Sequence, residues 1–116
     1  MLKTAGDLIK EAQQNIKFVD VAEAKKIFDE SEGAIIFDVR EASDAAESKL
    51  SKSINISRGL IEMKVPGHCP DAETIIFTHC GGGGRACLAA QSLQAMGYKQ
   101  VYAITAPYDE ILKAFG

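Results

Sequence analysis

Apolar residues recur along this chain in two rhythms. Leu2, Ala5, Ile9, Ala12 and Ile16 return every three or four positions, the spacing of one face of a helix. They predict an amphipathic helix over residues 1–17 packed on the remainder, residues 18–116. Its polar face mixes Lys3, Lys10 and Lys17 with Asp7 and Glu11, which fits packing on the domain better than lying on a lipid surface. Ala34–Val39 (A-I-I-F-D-V) and Thr74–Thr78 (T-I-I-F-T) run apolar without alternation, as strands buried on both faces of a parallel sheet do. Shorter strands are expected at Phe18–Asp20, Ser53–Ile56 and Val101–Thr105. Asp20 stands where a helix cap belongs, ahead of V-A-E-A-K-K-I-F-D-E, with Glu23 placed to complete a capping box. In R-A-C-L-A-A-Q-S-L-Q-A-M-G, Ala86, Ala89, Ala90, Leu93 and Met96 form one stripe, and Gly97 comes next as a C-cap glycine. Strands alternating with helices predict an α/β domain.

Composition narrows the function more than the fold. The 116 residues are 47% hydrophobic and 25% charged, the balance of one globular domain that buries about two thirds of its unfolded surface. A net charge of -3 leaves no broad basic face, so neither nucleic acid nor a membrane is an expected partner. Any anion site has to be local. Three cysteines do not make a disulfide framework, and the charged N-terminus carries no apolar signal core, so a reducing, cytoplasmic setting is expected.

One segment breaks both rhythms. Thr78–Cys87 reads T-H-C-G-G-G-G-R-A-C, a cysteine at a strand end, four glycines, then an arginine at a helix start. Ligands of open α/β sheets sit outside the carboxyl ends of the strands, which is where Cys80 falls. Glycines let successive N–H groups turn inward as an anion nest, the helix N-terminus adds partial positive charge, and Arg85 adds a full one. Together they favour a thiolate at Cys80, with Gly81, Gly82, Gly83, Gly84 and Arg85 as its cradle. A flexible turn and a packing cysteine explain neither the arginine nor the junction. The lysine and Ser/Thr of a Walker A loop are missing, and so is the acidic partner of a dinucleotide fingerprint. Four residues separate Cys80 from Arg85, one fewer than in the protein tyrosine phosphatase signature.

With F-D-V-R-E (Phe37–Glu41), I-N-I (Ile54–Ile56) and the loop with its adjoining C-L-A-A-Q-S-L-Q-A-M-G-Y, the chain from Phe18 onward resembles the single-domain rhodanese sulfurtransferases. The resemblance implies a central five-stranded parallel sheet with helices on both faces. It implies that Cys80 takes sulfane sulfur from a small anionic donor such as thiosulfate as a persulfide. A thiol, a protein acceptor or cyanide would then remove that sulfur, with no metal and no cofactor. The chain departs from the family at S-K-L-S-K-S (Ser48–Ser53), Ala45, Ala86, Ala106-Pro107 and Ile111, positions that shape loops around the site and bear on substrate choice.

Other residues carry weaker expectations. Arg58 comes after a strand on the same side and is a candidate for attracting the anionic donor. Asp38 and Arg40 are read as loop braces, and His79 as a packing or supporting residue, because strand neighbours face opposite ways. Cys87 is read as a buried hydrophobe rather than a resolving thiol. The pairs His68-Cys69 and His79-Cys80 would be held roughly 17 Å apart by the intervening strand, too far for one zinc ion. Against sulfur transfer stand a non-turnover persulfide carrier or regulatory anion-binding module, and a cysteine phosphatase or arsenate reductase.

Overall fold

The computed structural model describes every residue from Met1 to Gly116. Five strands, β1 (Lys17–Val19), β2 (Ile35–Asp38), β3 (Ser53–Asn55), β4 (Ile75–His79) and β5 (Gln100–Ile104), form one sheet in the order β1-β5-β4-β2-β3. Every pairing is parallel. The two continuous apolar runs become β2 and β4, paired at the sheet centre with Ile36 opposite Phe77 and Asp38 opposite His79. Both are covered on two faces, so alternate residues enter two cores. Phe37 and Ile76 join one core, Ile36 and Phe77 the other, and all four are fully buried. Each such side chain contributes about 1.5–3 kcal/mol of hydrophobic stabilisation.

Six helices complete the fold: α1 (Ala5–Gln13), α2 (Val21–Glu30), α3 (Ala42–Glu47), α4 (Ile61–His68), α5 (Gly84–Met96) and α6 (Tyr108–Phe115). Residues of α1, α4 and α5 fill the core that holds Phe37, and residues of α2 and α6 fill the core that holds Phe77. Helices therefore lie on both faces, as the alternating pattern implied. None of them is long and apolar enough to cross a membrane.

The N-terminal helix is shorter than its periodicity suggests. Thr4 caps it in a full box, its hydroxyl taking the Asp7 N–H at 3.1 Å while the Asp7 carboxylate takes the Thr4 N–H at 2.9 Å. Leu2 lies outside it and is exposed, and Ile16 lies beyond its end. At α2 the expected box is only half made: Asp20 accepts the Glu23 N–H at 2.8 Å, without the reciprocal bond. Met96, expected in the buried stripe of α5, is 43% exposed because it sits in the last turn, where Gly97 turns the chain away at φ 114°. Helices α3 and α4 have no clear signature in the hydrophobic pattern, whereas α6 carries Tyr108, Ile111, Leu112 and Phe115 on one face at i, i+3, i+4 and i+7. Pro66 and Gly67 sit inside α4 and disguise it.

Candidate active site

Strand β4 ends at His79, and the chain passes through Cys80 and three glycines before α5 begins at Gly84. The strand and the helix are tied beneath the loop by the Thr78 hydroxyl, which donates to the Ala86 carbonyl at 2.8 Å in the buried interior. Cys80 is 1% exposed, and its Sγ accepts the Gly83 N–H at 3.0 Å. That bond folds the segment from Cys80 to Gly83 back onto the sulfur.

The four glycines do different things. Gly81 and Gly82 are exposed, and a Cβ on Gly82 would meet nothing within 4 Å. Gly83 adopts φ 109°, a conformation side chains rarely take, and lies so close to the end of β5 that a Cβ would come within 3.2 Å of Thr105 Cα. Gly84 forms a notch for α1, since a Cβ there would come within 2.7 Å of Ile9 Cδ1. Arg85 is exposed and folds back over the loop, its Nη2 lying 3.6 Å from the Cβ position of Gly81. The Gly81 carbonyl is taken by the Tyr108 N–H of α6 at 3.0 Å.

On the opposite face of the strand end lies a cluster built from side chains. Arg40 grips Asp38 through Nε at 3.0 Å and Nη2 at 2.8 Å, and also donates to the Ser48 carbonyl at 2.7 Å. Both charges are buried, and the Asp38 partnership holds the Arg40 guanidinium above its ordinary value. The Arg40 Cζ rests 4.0 Å from the Tyr108 ring, whose hydroxyl meets Ser48 Oγ at 2.8 Å. His79 stacks on Tyr108 with ring centroids 6.0 Å apart. It is fully buried and neither ring nitrogen has a partner. Its Nε2 stands 4.0 Å from Asp38 Oδ1, beyond hydrogen-bond reach, and that carboxylate is already committed to Arg40. Burial therefore decides, pulling His79 below its usual value despite the Asp38 charge, with Arg40 and Lys49 adding to the effect.

The other residues singled out from the sequence sit away from the sulfur or behind it. The Arg58 guanidinium pairs with Glu62 at 3.0 Å and donates to Ser92 Oγ at 2.9 Å, bracing the start of α4 against α5. Burial pushes the Glu62 carboxyl up, but its own amide, Ser92 and Arg58 together hold it below its ordinary value. Cys87 is fully buried in the first half of α5, where the Gln13 amide reaches its sulfur at 3.6 Å; burial pushes its thiol up. Asp38 and Arg40 brace the loops as expected, and His79 faces away from Cys80 as strand alternation requires. Tyr108 is the residue that sequence reasoning misses. Its local signals are Pro107 ahead of Asp109 and Glu110, the start of a helix, and its place at the head of the stripe Tyr108, Ile111, Leu112 and Phe115.

The family model described as Rhodanese-like domain matches residues 10–114. Among solved structures, a Rhodopseudomonas palustris protein of unknown function, a possible tyrosine phosphatase, aligns at TM-score 0.82 and 24% identity over 100% of this chain and 94% of its own. The human single-domain sulfurtransferase aligns at TM-score 0.71 and 24% identity, over 83% and 95%. The Pseudomonas aeruginosa thiosulfate sulfurtransferase aligns at TM-score 0.73 and 22% identity, over 84% of this chain and 19% of that longer one. At these identities the likeness is one of fold. No curated protein matches the chain by sequence.

Proposed function

The chain belongs to the rhodanese-like domain family, and on that premise we propose that it is a sulfurtransferase working through a persulfide on Cys80. One observation carries the proposal: the Cys80 sulfur sits at the carboxyl end of the central strand, at the head of α5, and receives the Gly83 N–H at 3.0 Å. A backbone donor at that distance stabilises negative charge on sulfur without a side-chain base.

In the first half-reaction the Cys80 thiolate attacks the outer sulfur of a donor such as thiosulfate. The donor's S–S bond breaks, its electron pair leaves with sulfite, and Cys80 carries the sulfur as a persulfide. In the second, a thiolate or cyanide attacks the terminal sulfur and Cys80 departs as thiolate. Electrons balance in each step, with no cofactor or metal. The donor approaches past Gly81 and Gly82, the exposed part of the loop, with the Arg85 guanidinium beside Gly81 to meet its charge. Arg58 enters as a more distant donor-attracting charge, its guanidinium shared with Glu62 and Ser92. Gly83 and Gly84 complete the cradle, and we place the reaction in a reducing cytoplasm where Cys69, Cys80 and Cys87 stay free thiols.

A second reading is motivated by the Rhodopseudomonas palustris neighbour, a possible tyrosine phosphatase. The loop between Cys80 and Arg85 is a residue short for a phosphate, which ranks that reading below sulfur transfer. The deciding experiment is intact mass after brief exposure to thiosulfate without reductant, beside Cys80→Ser. The expected result is a gain of one sulfur atom in the unaltered protein only, discharged by cyanide as thiocyanate. No gain at a demonstrably free thiol, with turnover of an aryl phosphate, would reverse the order.

A further inference from the structure

We propose that Tyr108 is a positioning residue for the Cys80 loop, its backbone N–H fixing the Gly81–Gly82 peptide so that the Gly82 N–H faces the sulfur. The proposal rests on the sulfurtransferase reading and names a device inside that site.

The bond between the Tyr108 N–H and the Gly81 carbonyl is 3.0 Å long, and no peptide in the chain is cis. In a trans peptide the carbonyl and the N–H of the next residue point in opposite directions. Tyr108 opens α6, which packs on the core holding Phe77, whereas Cys80 belongs to the core on the other face. Drawing the Gly81 carbonyl toward α6 therefore aims the Gly82 N–H back toward the side of the sulfur. That N–H makes no bond within the protein, so it is a free donor. With the Gly83 N–H already on Sγ, the loop presents two successive amides from one side.

The donor side of this bond is equally well fixed. Tyr108 is the first residue of α6, where an N–H has no partner inside its own helix. The Tyr108 ring is held by Arg40, by His79 and through its hydroxyl by Ser48. Arg40 follows β2, His79 ends β4 and Ser48 follows α3, so the side chain anchors the amide to the strand end that carries the loop and to the loops beside it. Here the buried cluster on the far face acts on the sulfur through one backbone bond.

The test compares Tyr108→Pro with Tyr108→Ala. Both lose the ring, but only proline loses the N–H. Proline also puts its Cδ where the hydrogen was, so the Gly81 carbonyl must turn away. Pro107 sits at φ -62° and ψ 146°, which accepts a proline after it, and proline is favoured at the first position of a helix. The two variants should melt alike. Tyr108→Pro should form the persulfide about tenfold more slowly than Tyr108→Ala, through kcat more than through KM, and its Cys80 should alkylate more slowly by a similar factor. Equal rates in the two variants would overturn the proposal.

Alkylation does not depend on sulfur transfer. If the unaltered protein takes no sulfur from thiosulfate, the sulfurtransferase reading falls and the alkylation comparison still decides the role of Tyr108. If the proline variant fails to fold, the unaltered protein decides by nuclear magnetic resonance. The Tyr108 amide should be protected from hydrogen exchange, and the Gly82 amide should shift on alkylation of Cys80 far more than that of the remote Gly33. A Tyr108 amide that exchanges freely would sink the idea.

Discussion

His79 and Cys80 are neighbours in the chain and look into opposite faces of the same strand end. Around Cys80 the polar contacts come from backbone: the Gly83 N–H on the sulfur, the Tyr108 N–H on the Gly81 carbonyl. Around His79 they come from side chains: Asp38, Arg40, Ser48 and the Tyr108 ring. Amides on a tight loop keep their positions, do not titrate near neutral pH, and fit within a few ångströms of one atom. Side chains reach further and bind loops that are far apart in sequence. On the proposed reading, one face holds charge on a small ligand and the other holds the loops that do so.

The sharpest way to break this division is Cys80→Ser, which should lower sulfur transfer by at least about a thousandfold while thermal unfolding stays close to that of the unaltered protein. Thiocyanate release after thiosulfate and cyanide measures it. On the other face, Asp38→Ala leaves the Arg40 guanidinium buried without its counter-ion, and should cost about 3–5 kcal/mol in urea unfolding. A loss under about 1 kcal/mol would mean that Arg40 finds water instead and that the cluster braces little.

Gly82→Val separates ligand space from protein space. A side chain there meets open solvent, so stability should hold while transfer falls roughly tenfold to a hundredfold by crowding the donor. Unchanged kinetics would move the donor's approach elsewhere. The smallest effect concerns His79. Its folded value is depressed by burial, so the unfolded chain binds the extra proton first as pH falls. Stability from this group is complete above about pH 6.5, the unfolded value, and drains away as pH drops toward the folded one. His79→Phe keeps an aromatic face for Tyr108 and leaves no unpartnered nitrogens. Its unfolding free energy should vary less with pH below about 6.5, and an unchanged slope would assign the acid sensitivity to other groups.

Much of the architecture is legible in the sequence because parallel strands advertise themselves. The runs at β2 and β4 are apolar at nearly every position, and the cysteine-glycine-arginine junction marks the turn from β4 into α5. Periodicity fails at α4, where Pro66 and Gly67 interrupt the pattern, and at α3, whose six residues make fewer than two turns. The candidate site divides in the same way. Cys80 and its loop are contiguous, so their chemistry is visible in ten letters. Asp38, Arg40, Ser48, His79 and Tyr108 come from three separated stretches, and no local pattern announces that they meet. Nor do the glycines reveal their separate duties. Gly83 is fixed by its own backbone and by Thr105, and Gly84 by Ile9 from the far end of the sequence.

That last contact sets an order of events. Helix α1 is the first element of the domain to be synthesised, yet the notch that receives Ile9 opens only when Gly84 has been added, some 75 positions later. A nine-residue helix cannot hold itself together in water, so until then α1 is a wandering amphipathic segment. Closing so long a loop comes late in folding, after the sheet has supplied β4 and α5 for α1 to land on. Ile9 thus packs on the first turn of the helix that follows the Cys80 loop, and until that contact forms the first turn of α5 is bare. Finishing the head of α5, next to the Cys80 loop, is therefore expected to be among the last steps of folding.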